Sequence, residues 1–282
     1  MSTSPPDAGA MLSLATAAEP PARRTESKQQ LALADRAARA PSENAAADGE
    51  VGYQIAWRRE ELCGAFGLVY RAYLRAGLSV PNPYRMRVTP YHVLPSTEVL
   101  VATKQGQVIS TVSLIRDGEL GLPMESVYGP EVACYRQRGF SLAEVSCLAD
   151  CRQGQKRSVP VVMRLMSLMA QCAKRRGVDQ LLIAVHPRHV RFYHYFAAFV
   201  PIGRERPYHT VCDHPAVAMA LDLSWAPIDH PRLYHKFFAT PFPDEVLEYH
   251  PLSEELRAEL GLVAQANRVG QPHARIELLA VA

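Results

Sequence analysis

No stretch of this sequence is both long and apolar. Apolar runs such as residues 159–163 and 181–185 fall far short of the roughly 20 residues that cross a bilayer, so no membrane-spanning helix is expected. Positive charge is missing from the first 22 residues, where Asp7 and Glu19 are the only charged side chains. The weakly apolar stretch 8–18 therefore lacks the basic flank of a secretory signal, and export is not expected. Paired cysteine spacing is also lacking: Cys63, Cys134, Cys147, Cys151, Cys172 and Cys212 are scattered through apolar contexts, which reads as reduced thiols and a cytoplasmic address. Residues 1–50 lack the aromatic and β-branched side chains that offset the entropy of ordering a chain. They read as a disordered or partly helical tail, with a marginal Ala-rich helix over 29–40.

What is present is ordinary globular material, 48% hydrophobic and 21% charged over 282 residues, enough for one large domain or two small ones. From Trp57 the apolar residues Leu62, Phe66, Val69, Tyr70, Tyr73 and Leu74 recur at helical spacing and stop at Gly77. Two β-rich runs, 98–103 and 108–115, flank a turn with Gly106 and predict an antiparallel hairpin. A loop over 117–123, a helix over 126–138, a strand over 142–148 and a basic loop over 150–158 follow. The apolar face of 160–176 predicts a helix opened by Pro160 and closed by Gly177. Residues 181–185 suit a buried central strand, 188–198 a helix and 217–223 a last strand. The pattern is α/β (α+β): a mixed sheet with helices on its faces over residues 51–223. Residues 224–282, with a helix over 253–260, are too short for a second domain and read as an appendage packed on the first.

Charge is unevenly placed. The net charge is only +3, but 152–191 carries nine Lys or Arg against the single acid Asp179. Such a stripe attracts an anionic partner, or is simply a solvated helix face. It lacks the interleaved aromatics of a nucleic-acid platform, and no nucleic acid is expected. Glu144 interrupts an apolar strand, where burial raises a carboxyl's pKa toward the range of a general base. The plainer reading is a structural carboxylate or an outward residue of an alternating strand. Asp117, before Gly118, either orients an ammonium group or forms a turn. His186, His189 and His194 lack metal-ligand spacing, Cys147 and Cys151 read as packing, and no metal is expected. Tyr91, Tyr128, Tyr208 and Trp225 either line a pocket or are ordinary core and surface residues.

Seven phrases in order resemble the N-acyl amino acid synthase family, a GNAT-like branch of acyltransferases related to the acyl-homoserine-lactone synthases. They are Arg59-Glu60-Glu61-Leu62 with Ala65-Phe66 and Tyr70; Met86-Arg87-Val88-Thr89; Thr111-Val112-Ser113-Leu114-Ile115 with Asp117; Gly121-Leu122-Pro123-Met124-Glu125; Leu142-Ala143-Glu144-Val145-Ser146 with Leu148-Ala149; Pro187-Arg188-His189 with Phe192-Tyr193; and Pro215-Ala216-Val217-Ala218-Met219. The resemblance implies a GNAT-like, largely antiparallel twisted sheet and an N-acyltransferase moving a long fatty acyl chain from the phosphopantetheine thioester of acyl carrier protein to the amino group of an amino acid.

It supports Glu144 as base or amine-positioning residue and Tyr193 as donor to the leaving sulfur, with Asp117 as the third candidate catalytic residue, orienting the ammonium group. Arg87, Arg188 and Ser146 would bind substrate, the two arginines through a carboxylate fork. Acyl carrier protein is acidic, and Arg152, Lys156, Arg157, Arg164, Lys174, Arg175 and Arg176 become its candidate docking residues. In place of the glycine-rich pyrophosphate loop of ordinary GNAT enzymes, the chain has Arg152-Gln153-Gly154-Gln155-Lys156-Arg157, which favours the carrier protein over coenzyme A. No permanently bound cofactor is expected. The lactone-synthase pattern Glu-x-Ser-Arg becomes Glu144-Val145-Ser146-Cys147 here, which disfavours that rival. A coenzyme A-dependent enzyme and a catalytically silent module binding carrier protein or lipid are the remaining alternatives.

Overall fold

The computed structural model describes residues 51–151, 158–224 and 226–269. The expected tail, Trp225 and the loop cations Arg152, Lys156 and Arg157 lie outside them. Eight strands form one sheet: β1 (Val51–Ala56), β2 (Thr97–Lys104), β3 (Gln107–Arg116), β4 (Leu142–Asp150), β5 (Gln180–Val185), β6 (Val200–Pro201), β7 (Arg206–Tyr208) and β8 (His214–Asp222). Their order is β1-β2-β3-β4-β5-β8-β6, with β7 also paired to β8. Every pairing is antiparallel except β4 with β5. The expected hairpin is β2–β3, turned by Gln105 and Gly106 at φ 51° and 75°. Two consecutive left-handed residues give the turn whose twist matches that of the flanking strands.

The principal helices are α1 (Arg59–Arg75), α2 (Glu125–Gln137), α3 (Val159–Arg175), α4 (Pro187–Ala197), the short α5 (Ala226–Asp229) and α6 (Pro231–Phe238), and α7 (Glu254–Val269). Alternation along the strands divides the core. Leu100, Val112, Leu114, Ile183 and Met219 meet Leu165 and Leu168 of α3, Phe196 of α4 and Phe237 of α6. On the opposite face Val99 and Val101 meet Phe66 of α1 and Leu260 of α7, while Leu142, Leu182 and Ala218 meet Tyr128 of α2. β1, β6 and β7 escaped the sequence reading; β6 and β7 span only two and three residues, and pairing with a neighbour is what makes each a strand. α7 runs well beyond the expected 253–260.

The parallel pair positions the site. Parallel neighbours need a crossover, which α3 supplies. The β4–β5 ladder contains only Leu142↔Gln180, Ala143↔Leu181 and Glu144↔Leu182. Beyond Glu144 the strands part. β5 continues against β8 as far as Val185↔Val217, and β4 continues against β3 through a bulge between Thr111 and Ser113. Cys147 occupies this stretch at φ 55°, a left-handed conformation that is rare for a buried non-glycine residue in a strand.

Candidate active site

Glu144 is the last β4 residue paired to β5, and its side chain faces the helical layer of α1 and α2. It is 3% exposed. The Met124 N–H, at the N-cap of α2, donates to its Oε2 at 2.7 Å. Burial nevertheless dominates and raises the carboxyl to about 8; the Met124 bond opposes the rise and the nearby Glu125 adds to it. A helix N-terminus thus holds a carboxyl that titrates where a base for an amine must.

Around Glu144 the gap between β4 and β5 lets side chains from both layers meet. Cys147 is buried next to it and accepts from Ser146 Oγ at 3.7 Å and from the Tyr73 hydroxyl of α1. Burial raises the Cys147 thiol, while Arg87 pulls it back and Glu144 pushes it further. Tyr73 is raised too, chiefly by burial, and Tyr193, on α4 across the gap, adds to the rise. Tyr208 of β7 is raised well above its usual value by burial and then by Glu144; it hydrogen-bonds to Thr210, with Tyr73 and Tyr91 close enough to act on it.

Arg87 precedes the 3₁₀ turn Pro90–Val93 and is 9% exposed. Its guanidinium lies 4.7 Å over the Tyr73 ring, and Nη2 donates to the Thr210 carbonyl at 2.9 Å. In the same turn the Thr89 N–H donates to His92 Nδ1 at 2.9 Å, which places the imidazole proton on Nε2, 3.2 Å from Ser113 Oγ. Burial, reinforced by Arg87, depresses His92 to about 3, so it stays neutral and orients Ser113, the register partner of Ser146.

The structure therefore gathers Glu144, Ser146, Arg87 and Tyr193 around the gap. Asp117 stands apart in a two-pronged ion pair with Arg136 at 2.8 and 3.0 Å, and Arg136 also holds Glu125 at 2.7 Å. These contacts tie α2 to the exit of β3. Arg188 is exposed in the first turn of α4; its backbone N–H is capped by His186, and its Nε donates to His189 at 3.2 Å.

Four described members of the basic stripe, Arg164, Lys174, Arg175 and Arg176, have partners within the molecule. Arg164 donates to the Thr240 carbonyl and stacks on Phe242, Lys174 sits over Tyr234, and Arg175 pairs with Asp244. Arg176 binds Glu98 and the Leu247 carbonyl. These cations clamp residues 234–247 onto α3, and the helix sets Lys174–Arg176 roughly 25 Å from its own start.

Sequence reasoning assigned Tyr73 and Cys147 to packing and overlooked His92. For His92 a usable signal existed: Thr89-Pro90-x-His92 is a short capping turn with its own acceptor ring. Tyr208 and Tyr91 join the site, whereas Tyr128 is core, its hydroxyl donating to the Ala216 carbonyl at 2.5 Å.

The model of the family described as N-acyl amino acid synthase FeeM matches residues 64–222. Curated protein sequences yield no match. Among solved structures, FeeM, an N-acyl amino acid synthase from uncultured soil microbes, is 27% identical with a TM-score of 0.56 over 62% of this chain and 91% of that one. The coenzyme A-dependent acyl-homoserine lactone synthase BjaI is 18% identical, TM-score 0.50, over 75% and 100% of the two chains. The acyl-homoserine lactone synthase LasI is 15% identical, TM-score 0.52, over 69% and 98%. The last two identities speak to the fold alone.

Proposed function

Because the chain belongs to the N-acyl amino acid synthase FeeM family, we propose that it transfers a long-chain fatty acyl group from the thioester of acyl carrier protein to the amino group of an amino acid. The chain is an N-acyltransferase of GNAT-like fold. The observation that carries the finer reading is Glu144, a buried carboxyl with a raised pKa at the point where β4 and β5 separate.

In this reading the acyl thioester enters the gap from the end where β4, β5 and the starts of α3 and α4 lie together. Its carbonyl lies along the β5-facing edge of β4 beyond Glu144, which has no strand partner among the described residues. Backbone N–H groups there serve the developing oxyanion. The amine approaches from the Glu144 side. Its nitrogen attacks the carbonyl carbon, the C–N bond forms as its proton passes to Glu144, and the collapsing intermediate breaks the C–S bond. The departing thiolate takes a proton from Tyr193, which recovers one from solvent or from Glu144. No acyl-enzyme is needed, and the buried, raised Cys147 thiol is poorly suited to forming one.

The test is mass spectrometry of products from the full chain with long-chain acyl carrier protein, the matching acyl-coenzyme A, and the twenty amino acids, beside Glu144→Gln. An N-acyl amino acid formed from the carrier protein, and largely lost in the variant, supports the reading. Product from acyl-coenzyme A alone overturns the donor; no N-acyl amino acid from either donor overturns the acceptor.

A further inference from the structure

Arg87 is a buried cation without a counter-ion. No carboxylate among the described residues pairs with it, and its Nε is buried without a hydrogen-bond partner. One face of the guanidinium is covered by Tyr73, and one nitrogen is occupied by a backbone carbonyl. An unpaired charge in a dry interior is costly, and a protein keeps one where a ligand completes it. The other charged pairs show what a satisfied arginine looks like here: Arg206 with Glu131 and Arg136 with Asp117.

The position of Arg87 defines the ligand. Cys147 feels both Arg87 and Glu144, and Tyr208, which feels Glu144, hydrogen-bonds to Thr210, whose carbonyl accepts from Arg87. Arg87 lies over Tyr73, whose hydroxyl bonds Cys147, three residues along β4 from Glu144, so the cation and the carboxyl act on shared neighbours without pairing with each other. A molecule bridging them carries an anionic group for the guanidinium and an amine for the carboxyl. A planar anion suits the remaining edge of the fork.

We propose that Arg87 is the specificity-determining residue of the acceptor site, binding the α-carboxylate of a zwitterionic amino acid so that plain amines and amino acid amides are rejected. This rests on the acceptor reading above and adds the means of selection. Without its anion the site is left with a buried unpaired charge, so an amide or a decarboxylated analogue loses far more than one hydrogen bond.

The experiment compares kcat/KM for the best amino acid, its carboxamide and its decarboxylated amine, using the full chain and acyl carrier protein as donor, in wild type, Arg87→Met and Arg87→Lys. Wild type is expected to favour the amino acid by about 100-fold or more. Arg87→Met is expected to raise KM for the amino acid by about 100-fold with a smaller change in kcat, and to bring the three acceptors within a few-fold of one another; Arg87→Lys restores part of the preference. The wild-type comparison stands even if Arg87→Met does not fold. Equal use of acid and amide by wild type, or undiminished preference in Arg87→Met, overturns the proposal and leaves the synthase reading intact. If no acceptor of any kind is acylated, the synthase reading falls and this proposal with it.

Discussion

At the scale of single residues, the environment of Glu144 makes the site sensitive to pH. Its carboxyl releases a proton near 4.5 when unfolded but only at about 8 in the fold. Between those values the folded state binds the extra proton, so this group makes stability fall as pH rises through the window. Glu144→Gln keeps an acceptor for the Met124 N–H and removes the cost. We expect its melting temperature at pH 8 to exceed that of wild type by about 5–10 °C, with the gap closing near pH 4, as read by calorimetry. The same substitution is expected to lower kcat/KM at least 100-fold and to remove the limb that rises toward pH 8 in wild type. A variant that stays active with an unchanged pH profile would take the base role away from Glu144. The strand pattern pointed to this residue because a carboxylate in an apolar run demands an explanation. It did not point to His92 or Cys147, whose parts depend on a capping turn and a bulge.

At the scale of elements, two predictions follow from backbone geometry and one from a buried pair. The β2–β3 turn puts exposed Gln105 in a left-handed conformation that asparagine adopts more readily, so Gln105→Asn is expected to stabilise by roughly 0.5–1 kcal/mol in urea unfolding. Gly203 lies where a Cβ would fall 2.9 Å from the fully buried Tyr128 ring. Gly203→Ala therefore forces Tyr128 from its bond to the Ala216 carbonyl and is expected to cost about 1–3 kcal/mol, seen as a lower urea midpoint. Arg176 and Glu98, with side chains 13% and 1% exposed, join the end of α3 to β2. Arg176→Met leaves Glu98 buried and alone, at an expected cost of about 3–5 kcal/mol. The periodicity that predicts α3 shows which face is apolar. It cannot show that the opposite face is covered by residues 234–247, because that contact joins segments about seventy residues apart.

For the whole molecule, the question is where an acidic carrier protein would dock. In the fold the basic stripe is divided: Arg175 and Arg176 are neutralised by Asp244 and Glu98, and Arg164 and Lys174 lie over aromatic rings. Arg152, Lys156 and Arg157 lie outside the described residues, between β4 and α3 in the sequence. We expect charge reversal at these three positions to raise KM for acyl carrier protein at least tenfold at low salt, and Lys174→Glu to change it little. The difference should shrink as ionic strength rises. Equal effects from both sets would restore the undivided stripe.

The sequence by itself determined the order of the main helices and strands, the mixed sheet, the family and the suspicion attached to Glu144. Each follows from local periodicity, turn residues or ordered phrases. Only the tertiary structure decided that β4 and β5 part at Glu144, that Arg87 lies buried without a counter-ion, that Asp117 is tied to Arg136, and that half of the basic stripe clamps the C-terminal segment. The physical reason is the same for all four. Charge pairing and burial depend on which distant segments come within a few ångströms, and no spacing along the chain encodes that distance.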